Sequence, residues 1–259
     1  MHREPPEDRR ETIAYRLAEG SSLSATALAE EFGVSPDAIR RDLRALAAEG
    51  RCRRVYGGAL PLSPASTPMR TRSQEAPARK AALAATAVAL LRPGEFLFLD
   101  NGSTNLALAQ CLPRIGLTVA TNSVSIAAVL ADRDDLELHM LGGRVRPGIG
   151  GCVDAEAVLA LQQMNIDLCV LGACAVSVEE GLAAFDAADA AFKRTALGRS
   201  RRVVLPATSE KLATCAPHRV APLEAIDTLV VEHDAAEHID LEAIRALGVD
   251  IISAAARAE

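Results

Sequence analysis

Hydrophobic positions in the first sixty residues recur at helical spacing in three short bursts. Ile13 and Leu17, with neighbouring alanines, share one face over residues 11–19, and Gly20 supplies a helix stop. Ser24 is a favourable N-cap for a second helix over Ala25–Glu31, with Leu28 and Phe32 facing inward. Phe32-Gly33-Val34 reads as a tight turn in which Gly33 takes the positive φ. The third helix opens with Ser35 as its cap and Pro36 in its first turn, where a missing N–H costs nothing. Ile39, Leu43 and Leu46 form a narrow apolar stripe, and Asp37, Arg40, Arg41 and Arg44 fall on the opposite face. The run Arg51-Cys52-Arg53-Arg54-Val55-Tyr56-Gly57-Gly58 then reads as a strand pair, or wing, with Gly57-Gly58 turning out of it.

From residue 78 the periodicity switches between helix and strand. It predicts helices over 78–91, 103–112, 124–131, 154–163, 186–198 and 241–247. It predicts strands over 96–100, 117–121, 136–141, 167–171, 202–206, 228–232 and 250–253. Strands alternating with helices argue for a mostly parallel sheet covered on both faces. Residues 61–77 hold Pro61, Pro64, Pro68 and Pro77 among Ser and Thr and read as an extended linker. The expected organisation is a small helical head over 1–60, a linker over 61–77 and an α/β domain over 78–259.

Composition narrows the classes. The chain is 49% hydrophobic and 24% charged, which supports a packed core and argues against disorder. No apolar run approaches the ~20 residues that span a bilayer, and the opening MHREPPEDRRE lacks a secretory apolar core, so a cytoplasmic protein with no membrane partner is expected. The six cysteines show no CxxC pair and the five histidines no zinc spacing, so buried reduced thiols, no metal and no cofactor are expected. His233 and His238 read as solvated. The net charge of −6 opposes nucleic-acid binding only until it is divided along the chain: residues 35–56 hold six arginines against three acids. Lysine is scarce, with Lys80, Lys193 and Lys211 the only three, which makes each worth following.

Two sets of residues carry candidate chemistry. In the head, a capped helix held on its aliphatic side presents guanidiniums that suit a major groove, where arginine takes guanine O6 and N7 or a phosphate. Ser35, Asp37, Arg40, Arg41 and Arg44, with Arg53 and Arg54 from the wing, are the candidate contacts to a double-stranded DNA operator. The competing account is an ordinary three-helix bundle with a solvated basic face. In the α/β domain, small and hydroxylated residues gather where strands end: Asp100 with Gly102-Ser103-Thr104, Thr121-Asn122-Ser123, Gly142-Gly143, and Gly172. Glycines and helix N-termini at the carboxyl ends of strands suit an anion, so a phosphorylated small molecule is the expected guest. Short βα loops also need such residues purely as caps. Lys211, just past a strand end, is placed to reach a phosphate, whereas Lys193 lies four residues after Asp189 and could be a surface pair. Neither a Walker motif nor a strand-borne GxGxxG occurs.

With both halves read, the chain resembles the DeoR family of bacterial transcriptional regulators over nearly its full length. The resemblance runs through Phe32-Gly33-Val34-Ser35, Ile39-Arg40-Arg41-Asp42-Leu43 and Arg54-Val55-Tyr56-Gly57-Gly58-Ala59, then Asp100-Asn101-Gly102-Ser103-Thr104, Thr121-Asn122-Ser123, Leu141-Gly142-Gly143, Leu171-Gly172 and Lys193. It implies a winged helix-turn-helix followed by a sensor domain similar to ribose-5-phosphate isomerase. It also implies repression of a carbohydrate-catabolism operon, controlled by a phosphorylated sugar or related effector held at those loops. The family often has Ala-Asp-x-x-Lys where this chain reads Ala207-Thr208-Ser209-Glu210-Lys211. Operators built of repeated half-sites lead to an expected homo-oligomer, a dimer or tetramer. Two other readings stand beside this one: a sugar-phosphate isomerase-like enzyme using Asp100, Asp189 and Lys193, and an α/β domain that only oligomerises.

Overall fold

The computed structural model describes residues 6–18, 21–61, 63 and 67–255. In the head, α1 (Pro6–Ala18) starts earlier than periodicity indicates. Pro6 suits a first helical position, and Glu7 and Asp8 complement the dipole of the first turn. The stop expected at Glu19 and Gly20 lies outside the described residues. A two-residue strand, β1 (Leu23–Ser24), leads into α2 (Ala25–Glu31), where the Ser24 side chain accepts from the Ala27 N–H at 3.4 Å. After the Gly33 turn, α3 (Pro36–Ala48) is capped by Ser35, whose hydroxyl accepts from the Ala38 N–H at 3.3 Å. Ile13, Leu17, Leu28, Ile39, Leu43 and Leu46 interlock beneath it, none more than 2% exposed.

The wing is β2 (Arg53–Val55) paired antiparallel with β3 (Gly58–Leu60), and β1 adds to the other edge of β3. Here the structure corrects the expected exit turn. Gly57 makes the hairpin turn itself, and Gly58 already stands in the return strand. A Cβ on Gly58 would lie 2.0 Å from the Leu23 carbonyl oxygen, so this crossing of three strands requires glycine.

The segment expected as an extended linker is laid onto the second domain. The Cys215 N–H donates to the Pro61 carbonyl and the Ser63 N–H to the Cys215 carbonyl, both at 3.1 Å. A helical turn, α4 (Met69–Arg72), follows Pro68, and Met69 is buried. Prolines made this stretch read as a spacer, yet they leave its carbonyls and one long apolar side chain free to dock.

The α/β domain continues with α5 (Pro77–Val88), β4 (Phe96–Leu99), α6 (Ser103–Gln110), β5 (Thr118–Thr121), α7 (Val124–Leu130) and β6 (Glu137–Met140). After a small hairpin of β7 (Val145–Arg146) and β8 (Gly151–Cys152) come α8 (Ala155–Gln162) and β9 (Ile166–Val170). Then follow β10 (Ala175–Ser177), β11 (Gly181–Ala184), α9 (Ala187–Arg199), β12 (Ser200–Pro206), β13 (His218–Ala221), β14 (Thr228–Val231), α10 (Leu241–Ala246) and β15 (Asp250–Ser253). Seven strands form a parallel sheet in the order β15-β14-β12-β9-β4-β5-β6. Period-two alternation divides the core: Leu97 and Leu99 face the cluster of α5, α6 and α7, while Phe98 faces that of α8 and α9, tilted against Phe192 at 5.9 Å.

Strand order decides where a ligand can sit. After β4 the chain steps outward through β5 to β6, then returns to place β9 on the opposite flank of β4. The reversal between β4 and β9 opens a crevice at their carboxyl ends, the favoured ligand position in open α/β sheets. The antiparallel sheet β10-β11-β13 rises beside it. Its Ala- and Gly-rich strands carry little β propensity, so periodicity did not indicate them.

Candidate functional site

In the head, helical period and capping set the outer face of α3. Ile39, Asp42, Leu43 and Leu46 are buried, and Arg40, Arg41 and Arg44 are exposed. Asp42, unremarked in the sequence reading beyond its place in the motif, is held by Arg9 of α1 at 2.7 Å with both side chains 7% exposed. This pair ties the first and third helices on the side away from the guanidiniums. Asp37 lies beside Arg40 at 2.7 Å and steadies it. Ser35 is occupied as the cap. Among the described residues Arg41, Arg44 and the wing's Arg54 form no ion pair, and Tyr56 at the wing tip is fully exposed. Arg53 differs: its guanidinium meets Glu180, between β10 and β11, at 3.1 Å. One of the wing arginines expected on DNA is therefore engaged by the second domain.

The second site is a cavity of about 220 Å³ at the β4/β9 reversal. Gly102, Ser103 and Thr104 reach it from the start of α6, Gly172 from the end of β9, and Lys211 from the turn after β12. Gly172 has no room for a side chain, since a Cβ would stand 2.4 Å from the Asn101 carbonyl oxygen. Thr121, Asn122, Ser123, Gly142 and Gly143 are not in its lining. They follow β5 and β6, outward of the crevice, and their polar groups serve the fold. Thr121 Oγ1 donates to the Leu99 carbonyl at 2.7 Å, Asn122 Oδ1 accepts the Asn101 N–H at 3.0 Å, and Ser123 caps α7. Gly143 packs on the Asp154 carboxylate.

Asp100 and Lys193 lie under the cavity floor, 0% and 2% exposed. Lys193 Nζ donates to Asp100 Oδ2 and sits 3.3 Å from Asp189 Oδ1, and the Gly172 N–H donates to Asp100 at 2.9 Å. The Asp189–Lys193 spacing is thus an interior pair, not a surface one. Burial pulls the Lys193 ammonium down, but Asp100 and Asp189 more than reverse this and hold it charged. Burial pushes the Asp100 carboxyl up, opposed by Lys193. Burial also pushes Lys211 down to about 8, with Arg72 and Lys80 adding repulsion and Cys174 and Glu210 opposing it.

Several cavity residues carry no flag in the sequence: Thr67 and Arg72 from the inter-domain segment, Asn105 on α6, Phe185, and Asp186 before α9; Asp189, singled out there only for its spacing to Lys193 and for the isomerase alternative, also lines the cavity. Asn105 had an available signal, being the residue next after the strand-end run that closes with Ser103-Thr104. Five buried side-chain polar atoms have no hydrogen-bond partner among the described residues, and four of them belong to this lining: Thr67 Oγ1, Arg72 Nε, Thr104 Oγ1 and Asn105 Oδ1. Buried polar atoms are nearly always satisfied, so their convergence on one cavity marks a place for a polar guest. No group of three or more His, Cys, Asp or Glu side chains among the described residues is arranged for a metal. No disulfide links the six cysteines; Cys111 is exposed rather than buried as expected, and Cys174 is half-buried at the cavity. His233 and His238 are exposed, as the sequence indicated.

Residues 9–65 match the DeoR-like helix-turn-helix domain, and residues 75–233 match the DeoR C-terminal sensor domain. The chain belongs to the DeoR family. Like other DeoR proteins it is a transcriptional regulator with a DNA-binding head, and the isomerase reading gives way to this. The glycerol-3-phosphate regulon repressor of Escherichia coli K12 is 29% identical across 81% of this chain and 84% of its own. The regulator GlpR of Haloferax volcanii is 28% identical across 97% and 99%, and the repressor GlcR of Bacillus subtilis 26% across 87% and 88%. Among solved structures, ribose 5-phosphate isomerase A from Methanocaldococcus jannaschii aligns over 52% of this chain and 54% of its own, with a TM-score of 0.39 and 15% identity. No helix among the described residues is long and apolar enough to cross a membrane.

Proposed function

We propose that this DeoR protein represses a carbohydrate- or polyol-catabolism operon, and that a small phosphorylated metabolite in the β4/β9 cavity controls its grip on DNA. In this reading Arg40, Arg41 and Arg44 address the major groove, and Arg54 and Tyr56 follow the backbone or minor groove. The observation that carries the effector half is the charge balance at the cavity. Both lining carboxylates are already paired, Asp186 with Arg146 and Asp189 with the Lys193 ammonium that it shares with Asp100. The two lining cations, Arg72 and Lys211, have no carboxylate partner among the described residues. What remains unmatched is positive charge and hydrogen-bonding capacity, the complement of a phosphate ester with hydroxyls.

The name of the E. coli relative directs the first trial to glycerol 3-phosphate. Thermal denaturation of the full chain against a panel of sugar and polyol phosphates should show a rise in Tm for at least one, with none for the unphosphorylated counterparts. Absence of any phosphate-dependent shift would leave the α/β domain as an oligomerisation module only. A dimer or tetramer is the expected assembly, read by light scattering.

A further inference from the structure

The parallel sheet ends at β6 with its hydrogen-bonding side open. Among the described residues no strand pairs with the outer side of β6. Glu137–Met140 also carries none of the devices that blunt an edge: no proline, no lysine, and no bulge in its register with β5. The opposite edge differs, for in β15 only Asp250 and Ser253 are exposed and both isoleucines are half-buried. Seven large apolar side chains are exposed among the described residues, and four of them, Val124, Val129, Met140 and Val145, belong to the consecutive elements α7, β6 and β7. An apolar patch beside an open strand edge marks an interaction surface.

The hydrogen bonds to β5 fix which backbone groups are open. The N–H groups of Glu137 and Leu141 donate to the carbonyls of Leu117 and Thr121 at 3.1 and 2.8 Å, so odd-numbered residues turn toward β5. The N–H and carbonyl of Leu138 and Met140 therefore point outward. Side chains alternate as well. Leu136 and Leu138 pack on the α7 side of the sheet. Glu137 and His139 share the other side, where His139 Nε2 lies 3.2 Å from Glu137 Oε1.

We propose that this edge is the interface with a second copy of the chain, β6 pairing antiparallel with β6 across a two-fold axis at Leu138, so that two sheets become one. This rests on the dimer or tetramer expected above and adds where the copies meet. An antiparallel partner must bond to the outward residues, and an axis at Leu138 does this: Leu138 exchanges both its bonds with the second copy's Leu138, and Met140 faces the second copy's Leu136. The same axis sets Glu137 of each copy opposite His139 of the other, acid against base on both sides. Moving the axis one residue either way sets Glu137 against itself or His139 against itself, and like groups directly opposite are unfavourable. The edge is thus complementary to its own copy in one register, which favours a second copy over a foreign strand.

Light scattering of the purified full chain reads the assembly, and Met140→Pro tests the edge. Proline there removes an outward N–H and a side chain that is 41% exposed, a change that an edge strand tolerates. The mass should halve, dimer to monomer or tetramer to dimer, with the circular dichroism of the parent. Should Met140→Pro fail to fold, Met140→Lys, which sets a charge into the same seam, carries the same expectation. Leu138→Cys should cross-link into a covalent dimer under mild oxidation, beyond any formed by the parent, because a hydrogen-bonded antiparallel pair stands about 5.5 Å apart at Cα, within disulfide reach. Glu137→Lys should weaken dimerisation roughly threefold to tenfold, and Glu137→Lys with His139→Glu should restore it. An oligomeric parent whose folded Met140 variant keeps the parental mass, or whose Leu138→Cys variant gives no cross-link, overturns the inference while the expected assembly stands; a foreign strand as the true occupant would give that result. A monomeric parent removes the expected assembly and this inference with it.

Discussion

The two functional faces of this DeoR protein use charge in opposite ways. On α3 the guanidiniums stand exposed, spaced by the helical period, and the one buried charge nearby, Asp42 with Arg9, serves only to hold the helix. At the β4/β9 cavity Asp189, Lys193 and Lys211 are interior and Arg72 and Asp186 half-buried, and these charges come from segments far apart in sequence. A face that meets a polyanion needs density of charge and little enclosure, because phosphate contacts gain from counterion release. A cavity that discriminates one small anion needs enclosure, so every charge there must be balanced or left deliberately open. The same residue types are thus surface tools in one domain and structural elements in the other.

Substitutions sharpen that contrast. The largest effect is expected for Lys193→Met, which leaves Asp100 and Asp189 buried without a cation. It should cost about 3–5 kcal/mol in urea unfolding, and stability near the parental value would show that the trio is not an ion-pair core. Arg41→Ala should leave unfolding untouched and weaken operator binding by about 1–3 kcal/mol, read by fluorescence anisotropy; unchanged binding would mean that α3 does not face the groove. Lys211 supplies a pH test. Its value in the folded chain, about 8, lies below the ordinary 10.5. The unfolded chain therefore binds the extra proton between about 8 and 10.5, and the unliganded protein should gain stability as pH rises through that window. Phosphate affinity should fall over the same rise, and Lys211→Met should flatten both profiles. Removing the α3 cap with Ser35→Ala should cost about 1 kcal/mol of stability. The smallest effect belongs to Arg53→Ala, since an exposed pair such as Arg53–Glu180 contributes about 0–1 kcal/mol.

The head was legible because its information is local. Ser24 and Ser35 announce their helices, and Ile39, Leu43 and Leu46 orient α3 without reference to anything distant. The seven parallel strands were legible for the same reason. Their lateral order was not, and strand order is what separates Gly102–Thr104 and Gly172, which line the cavity, from Thr121–Ser123 and Gly142-Gly143, which do not. All four runs look alike in sequence, since capping a helix and cradling an anion call for the same small polar residues. Thr67 and Arg72 were hidden by the prolines around them: composition indicated a spacer, while docking depended on Met69 finding a buried seat. Asp189 and Lys193 show the converse, an i,i+4 spacing that suits a solvated helix face but lies inside the domain because Asp100 faces it from β4.

All three lysines of the chain are interior: Lys80, Lys193 and Lys211 are 5%, 2% and 7% exposed. The native surface thus carries its positive charge on arginine and offers acylating reagents almost no side-chain amine. Covalent labelling of amines would stay near silent on the folded molecule and rise as it opens, which makes lysine acylation a built-in reporter of local unfolding around the cavity.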